Sequence, residues 1–171
     1  MFNIDIVSHD VSIMNVEKED MLKIQKWINN QQVLNAYAKK NYGIKEFYER
    51  YLEYYVSEGE YFVKVLSGSE LIGIIKGRIE FKNPNEVWIM CYLIEFKLYS
   101  TDLATSIINK FLTHLYENYG MRNFYTFVSV DNREMLELWK NSDFEISRVT
   151  SNFIEVDGKD KDILILKKTI Q

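Results

Sequence analysis

Residues 87–94 read Val-Trp-Ile-Met-Cys-Tyr-Leu-Ile, eight positions without a charge. No other stretch limits the fold so strongly. A run this apolar, and this short, suits a strand buried on both faces at the centre of a sheet. Its flanks say how that sheet is built. Upstream, residues 61–66 and 71–81 are β-type runs around Ser67-Gly68-Ser69, a hairpin signal. Lys82-Asn83-Pro84-Asn85 then turns the chain into the central strand. Downstream, Leu103, Ile107, Ile108, Phe111, Leu112 and Leu115 recur at helical spacing, and Gly120 stops that helix. Residues 124–130 return as a strand. A βαβ unit therefore stands at the middle of the chain.

The remaining segments fill out an α/β order. Residues 4–16 read as a strand with a small extra strand before it. Glu17, Glu19 and Asp20 put negative charge on the first turn of a helix, where the helix dipole favours it. Met21, Ile24 and Ile28 give that helix one apolar face, with Trp27 beside it. A second helix spans 44–56, with Ile44, Phe47, Tyr48, Tyr51 and Tyr55 on one side and Gly59 ending it. Asp131 with Glu134 has the form of a capping box for a short helix over 131–140. Residues 144–156 and 163–168 close the chain as two strands around Asp157-Gly158. The expectation is a mixed, mostly antiparallel central sheet of six to seven strands flanked by about four helices. No linker or repeat interrupts the chain, so residues 1–171 read as a single domain.

Composition narrows the function classes. Of 171 residues, 47% are hydrophobic and 27% charged, which supports a sizeable core and argues against disorder. The formal net charge is -4. Nucleic acid prefers a basic face, so no nucleic-acid partner is expected, and the acidic balance mildly favours cationic partners such as amines. One cysteine, Cys91, excludes an intrachain disulfide, and with only His9 and His114 besides it no metal site is expected. Residues 1–10 lack the pattern of a signal peptide, and no window approaches ~18 uninterrupted apolar residues. A cytoplasmic enzyme or binding protein is the expectation, with no membrane partner. Gly68 to Gly73 has P-loop spacing, but Ile74 stands where lysine is required. No Gly-x-Ser-x-Gly turn exists.

After the central strand the chain reads Glu95-Phe96-Lys97-Leu98-Tyr99-Ser100-Thr101-Asp102-Leu103-Ala104-Thr105. Further on, residues 132–144 run from Asn132 through Trp139 to Asp143-Phe144. With the element order, these stretches resemble the GNAT family of N-acetyltransferases over nearly the whole chain. The family's cofactor site lies where its fourth strand splays from its fifth, at the helix between them. Its motif there is Arg or Gln, two residues, Gly, one residue, then Gly or Ala. Small residues let backbone N–H groups point at a pyrophosphate, and the helix amino end adds positive potential. Tyr99 occupies the Arg/Gln position, Asp102 the first Gly and Ala104 the second small residue, the one of the three that matches. Asp102 adds a side chain and a negative charge where the phosphates approach. Asn132 and Phe144 match the second stretch. Trp139 stands where many relatives carry a tyrosine that protonates the departing thiolate, and an indole N–H is too weak an acid for that role.

The resemblance implies an acetyl-CoA-dependent transfer to a primary amine on a protein N-terminus, amino sugar or small molecule, without a metal. It implies a cofactor site made of Leu93, Ile94, Glu95, Tyr99, Ser100, Thr101, Asp102, Leu103, Ala104, Thr105 and Asn132. A backbone N–H at Leu93 or a close neighbour would polarise the thioester carbonyl. Glu80 and Glu86, flanking the turn before the central strand, are the candidate bases. Homodimers are common among such relatives. The alternative is a catalytically silent binding or dimerisation module of the same fold, which accounts for Tyr99, Asp102 and Trp139 together.

Plainer roles stand beside each functional one. Ser100, Thr101 and Asn132 suit helix caps, and Asp102 a first-turn acid. Trp139 lies on an apolar face with Met135 and Leu138 and suits core packing. Glu80 and Glu86 suit solvated turn-flanking charges. The aromatic group Tyr42, Phe47, Tyr48, Tyr51, Tyr54 and Tyr55 reads as helix core, or as the border of an acceptor pocket.

Overall fold

In a computed structural model of the chain, residues 2–31, 43–156 and 158–171 are described. Eight strands form one sheet in the order β1-β2-β3-β4-β5-β6-β8-β7, with four helices among the described residues. The strand count exceeds the expected six to seven because residues 4–16 fold into two strands. Tyr42 and Asp157 lie outside the described residues. The chain gathers into two compact units, Met1–Gly77 with Cys91–Phe96, and Arg78–Met90 with Lys97–Gln171.

The first unit opens with β1 (Asp5–Val7) and β2 (Ser12–Asn15), antiparallel, with Ile6 opposite Ile13. Ser8 and Val11 close the turn, the Ser8 N–H donating to the Val11 carbonyl at 2.9 Å. A 3-10 turn, Lys18–Asp20, precedes α1 (Met21–Asn29). The acidic residues thus sit in the turn ahead of the helix rather than in its first turn. Met21, Ile24 and Ile28 are buried, at the helical spacing the sequence showed.

Next comes α2 (Ile44–Val56), with the bounds the sequence predicts. Its buried face is Phe47, Tyr51 and Tyr54, a strict i, i+4, i+7 stripe. Ile44 and Tyr55, expected on that side, are 37% and 59% exposed. The helix ends at Ser57, whose backbone is extended, so Gly59 is not its cap. The hairpin of β3 (Glu60–Ser67) and β4 (Glu70–Glu80) turns at Gly68, where φ is +59°. That left-handed conformation favours glycine. Phe62, Leu71, Ile74 and Leu93 complete a core cluster with the buried residues of α1 and α2.

The second unit is built around α3 (Asp102–Tyr119). Ala104, Ile107, Ile108, Phe111, Leu112 and Leu115 are its buried face. Gly120 ends it with φ +66°, and the N–H groups of Gly120 and Met121 bond the carbonyls of Tyr116 and Leu115. β5 (Glu86–Ile94) and β6 (Asn123–Ser129) are parallel, as a helical crossover demands. Their register joins Glu86–Ile89 to Asn123–Thr126 and stops there, short of the ends of both strands. The buried Thr126 hydroxyl donates to the Ile89 carbonyl at 3.0 Å at that last pair.

β5 is not sealed on both faces throughout. Val87 and Ile89 are buried, whereas Met90 between β5's halves is 44% exposed. Burial on both faces holds from Tyr92 to Ile94. A short helix, α4 (Arg133–Asn141), follows β6. Its cap is Asn132, whose side-chain oxygen accepts from the Met135 N–H at 3.2 Å, rather than Asp131. Asp131 instead pairs with Lys161. β7 (Glu145–Val156) and β8 (Lys159–Thr169) form the closing antiparallel pair, and β8 also pairs with β6. Trp139 is 1% exposed and meets Phe144 edge-on with ring centres 4.9 Å apart, in the packing role its apolar face suggests.

Candidate active site

The carboxyl end of β5 is fixed by close backbone approach. The Glu95 N–H donates to the Ile72 carbonyl at 2.9 Å. A Cβ added at Gly73 would lie 2.9 Å from the Leu93 carbonyl oxygen, closer than side-chain carbons come to other atoms. Only glycine fits at 73 without moving Leu93. The side chains of Leu93 and Ile94 are buried, so what this segment offers to chemistry is backbone. Glu95 is half-buried. Gly73 is the positioning residue that sequence reasoning missed. Its partner lies on another strand, and spacing along the chain carries no trace of that contact.

At the amino end of α3 the cap is Thr101, with extended backbone. Its hydroxyl donates to the Leu98 carbonyl at 2.6 Å and its N–H to the same oxygen at 3.0 Å. The hydroxyl is therefore not used to cap the first-turn N–H groups, as a Thr at this position ordinarily would be. A helix start left in this state, with its dipole, suits an anion.

Tyr99, Ser100, Thr101, Asp102 and Thr105 line one cavity of about 150 Å³, together with Glu134, Glu137, Leu138 and Asn141 of α4. Five residues chosen from the sequence thus meet. Leu103 is half-buried and Ala104 wholly buried in the helix's packed face. Asn132 is spent, at least in part, on capping α4. The cavity carries three carboxylates, Asp102, Glu134 and Glu137, whose charge opposes an anion.

Glu80 and Glu86 sit at the two ends of the β4–β5 hairpin turn. Lys82 pairs with both, closely with Glu80 and at 3.1 Å with Glu86, and Arg78 reaches Glu80 at 2.6 Å. The Trp88 indole N–H donates to Glu86 at 3.3 Å. The hydrogen bond from Lys82 holds the Glu80 carboxyl below its ordinary range, with Arg78 helping against the opposing effect of burial. Hydrogen bonds to Glu80 and then Glu86 push the Lys82 ammonium up. These charges satisfy one another in the way of turn-flanking ion pairs. Seven residues of extended β5 separate Glu86 from Leu93, roughly 23 Å at a strand's rise.

Cys91 is half-buried, and desolvation pushes its thiol up to about 11, so the thiolate is disfavoured. Among the described residues no group of three or more His, Cys, Asp or Glu is placed to hold a metal ion. No described helix is long and apolar enough to cross a membrane.

A second, larger cavity lies in the first unit. Tyr48, Tyr51 and Tyr55 of α2 face it, with Glu17, Lys18 and Glu19 of the 3-10 turn region. The sequence showed the aromatic group and the acidic stretch separately. Only the fold brings them together.

Solved structures of similar fold are acetyltransferases. A spermidine N-acetyltransferase from Vibrio cholerae, in complex with CoA and spermine, is 17% identical, with a TM-score of 0.81 over 95% of this chain and 96% of that one. RimL, a ribosomal L7/L12 alpha-N-protein acetyltransferase in complex with coenzyme A, is 13% identical, with a TM-score of 0.85 over 96% and 97%. The microcin C7 self-immunity acetyltransferase MccE, in complex with acetyl-CoA and AMP, is 15% identical, with a TM-score of 0.82 over 95% and 94%. No curated protein matches the sequence. A family model described as an acetyltransferase (GNAT) domain matches residues 13–165. With that match over most of its length, and with the element order and sheet of that fold, the chain belongs to the GNAT acetyltransferase family.

Proposed function

We propose that this chain is an acetyl-CoA-dependent N-acetyltransferase that passes the acetyl group directly to a primary amine, as one domain over residues 1–171. The observation that carries this reading is the GNAT match over residues 13–165. The β5–β6 ladder that stops after four pairs supports it. In this reading, the backbone at Leu93 to Glu95 polarises the thioester carbonyl. The amino end of α3, from Tyr99 to Thr105, takes the pyrophosphate on its N–H groups, and Asn132 contributes beside it. A neutral amine attacks the carbonyl carbon, the C–N bond forms, the C–S bond breaks, and the nitrogen gives up one proton to solvent to leave a neutral amide. The coenzyme leaves as a thiolate that takes up a proton from solvent, since buried Trp139 supplies none.

Neither Glu80 nor Glu86 is assigned as the base: the length of extended strand between Glu86 and Leu93 exceeds the reach of a general base, even through one water. A carboxyl held below its ordinary range by Lys82 accepts a proton from an ammonium less readily. Glu86→Gln is therefore expected to leave the rate within about twofold of the parent at neutral pH, whereas losing a true general base costs about a hundredfold or more. A loss of about a hundredfold would return Glu86 to the mechanism and overturn the structural role of the hairpin.

A second reading, a silent GNAT-fold binding module, is favoured by the three carboxylates lining the cavity at the start of α3. Thermal denaturation with about 1 mM acetyl-CoA separates the two, because a ligand specific for the native state raises its stability. The enzyme reading expects a rise of several degrees and thiol release with an amine panel. No rise favours the silent module. Asp102→Gly sharpens the test: removing one repulsive charge about 6 Å from a phosphate in water is expected to tighten binding roughly threefold.

A further inference from the structure

We propose that the cavity between the 3-10 turn Lys18–Asp20 and α2 is a binding site for a small organic ammonium ion. The cavity measures about 750 Å³, within the range of small-molecule pockets. Tyr48, Tyr51 and Tyr55 present aromatic rings along one face of α2, and the Tyr51 and Tyr55 ring centres lie 6.0 Å apart. Aromatic faces attract ammonium groups, and carboxylates strengthen that attraction. Glu17 and Glu19 supply the carboxylates; neither forms an ion pair among the described residues, though the Glu17 side chain also accepts from the Asp20 N–H in a capping box. Asp20 does not compete for the ligand, because Lys64 engages it at 2.6 Å. Lys18 also lines the cavity and opposes a cation, leaving a net charge of -1 from these three side chains.

Tyr51 adds a polar anchor beside the acids. Tyr51 is only 7% exposed, lines the cavity, and its hydroxyl makes no hydrogen bond among the described residues. The hydroxyl is not among the buried unpartnered polar atoms, so it faces the open cavity, where a ligand can bond it in place of water. The field at this ring is negative: burial chiefly raises the Tyr51 hydroxyl's proton affinity, and Tyr55, Glu19, Glu17 and Asp20 add to it. An anion would be repelled, and a neutral ligand could donate hydrogen bonds to the carboxylates but would lack the charge attraction that a cation gains. The site does not depend on acetyl transfer and binds without coenzyme.

Isothermal titration of the full chain with 1,4-diaminobutane, without coenzyme, tests it directly. Saturable binding is expected, and 1,4-butanediol, its uncharged counterpart, should give none. Glu19→Gln and Tyr55→Leu, both at exposed positions, should each weaken the diamine about tenfold with unchanged melting temperature. Glu137→Gln, in the other acidic cavity, should leave affinity unaltered. A Gly-Lys-Gly peptide with blocked ends distinguishes a protein lysine from a free amine, and weaker binding than the diamine is expected. Absence of saturation, equal binding of the diol, or parental affinity in both cavity variants overturns the site; so does a peptide that binds as tightly, since the ligand is then not a small amine.

Discussion

The β4–β5 hairpin and the turn ahead of α1 hold the same three charges, two glutamates around one lysine. In the hairpin, Lys82 sits at the bend and reaches Glu80 on one strand and Glu86 on the other. In the turn, Glu17, Lys18 and Glu19 are consecutive. Successive side chains of a 3-10 turn point about 120° apart, so the lysine cannot bridge its neighbours. One group of charges is consumed internally and borders Trp88 and Arg78. The other opens onto tyrosines. The residue types are identical, and the backbone geometry decides whether their charge is available to a ligand.

The widest separation between the two regions should appear in stability. Tyr51 is 7% exposed and belongs to the core cluster of the first unit as well as to the cavity wall. Tyr51→Ala is expected to cost about 3–5 kcal/mol, the usual range for truncating a buried aromatic ring. Glu86→Ala, removing one arm of a surface ion-pair network, should cost under about 1 kcal/mol. Urea denaturation of both variants measures the difference. Equal losses would break the contrast, by showing the hairpin to be as structural as the cavity wall.

A smaller effect concerns the hairpin alone. Lys82→Met removes the largest cause of the low Glu80 pKa, so that value should rise toward the ordinary 4.5 while Arg78 keeps part of the depression. Carboxyl NMR titration reads this directly. The pH dependence follows in sign. Because the folded Glu80 pKa is lowered, its stabilisation is present above 4.5 and is lost as pH falls through the lowered value. Because the folded Lys82 pKa is raised, its share is present below 10.5 and is lost as pH climbs through the raised value. The stability difference between parent and Lys82→Met should therefore stay level from pH 5 to 10, about the plateau these two directions allow, and shrink at both ends. A difference that varied steadily across neutral pH would mean another group governs the hairpin.

Local periodicity made much of this fold legible. Residues 44–56 form the predicted helix, and the face of α3 follows its apolar spacing, because both are decided within a few turns of chain. Ends and partners were harder. Asn132 rather than Asp131 caps α4, a choice between two good capping residues that depends on where the preceding strand stops. Tyr54 replaces Tyr55 in the core because burial follows the 3.6-residue period from Phe47 and Tyr51. Of the residues assigned to the cofactor site, Tyr99, Ser100, Thr101, Asp102 and Thr105 line one cavity, since they are contiguous or nearly so. Gly73 was missed because its reason for being glycine is the Leu93 carbonyl on another strand. The meeting of Glu17 and Glu19 with Tyr51 and Tyr55 is of the same kind.

The finest test of the contrast is Lys18→Met. In the hairpin, removing the lysine strips the glutamates of their partner. In the turn, Lys18 forms no ion pair among the described residues and only adds positive charge to the cavity lining. Its removal should therefore help a cation. Two unit charges about 6 Å apart in water interact by roughly 0.7 kcal/mol, so 1,4-diaminobutane should bind about threefold more tightly. The gain should fade as ionic strength rises, since the screening length falls from about 10 Å at 0.1 M to about 3 Å at 1 M salt. Titration calorimetry at low and high salt measures both expectations. Weaker diamine binding in Lys18→Met would show that the lysine organises the turn, and the two clusters would then differ less than their ion pairs indicate.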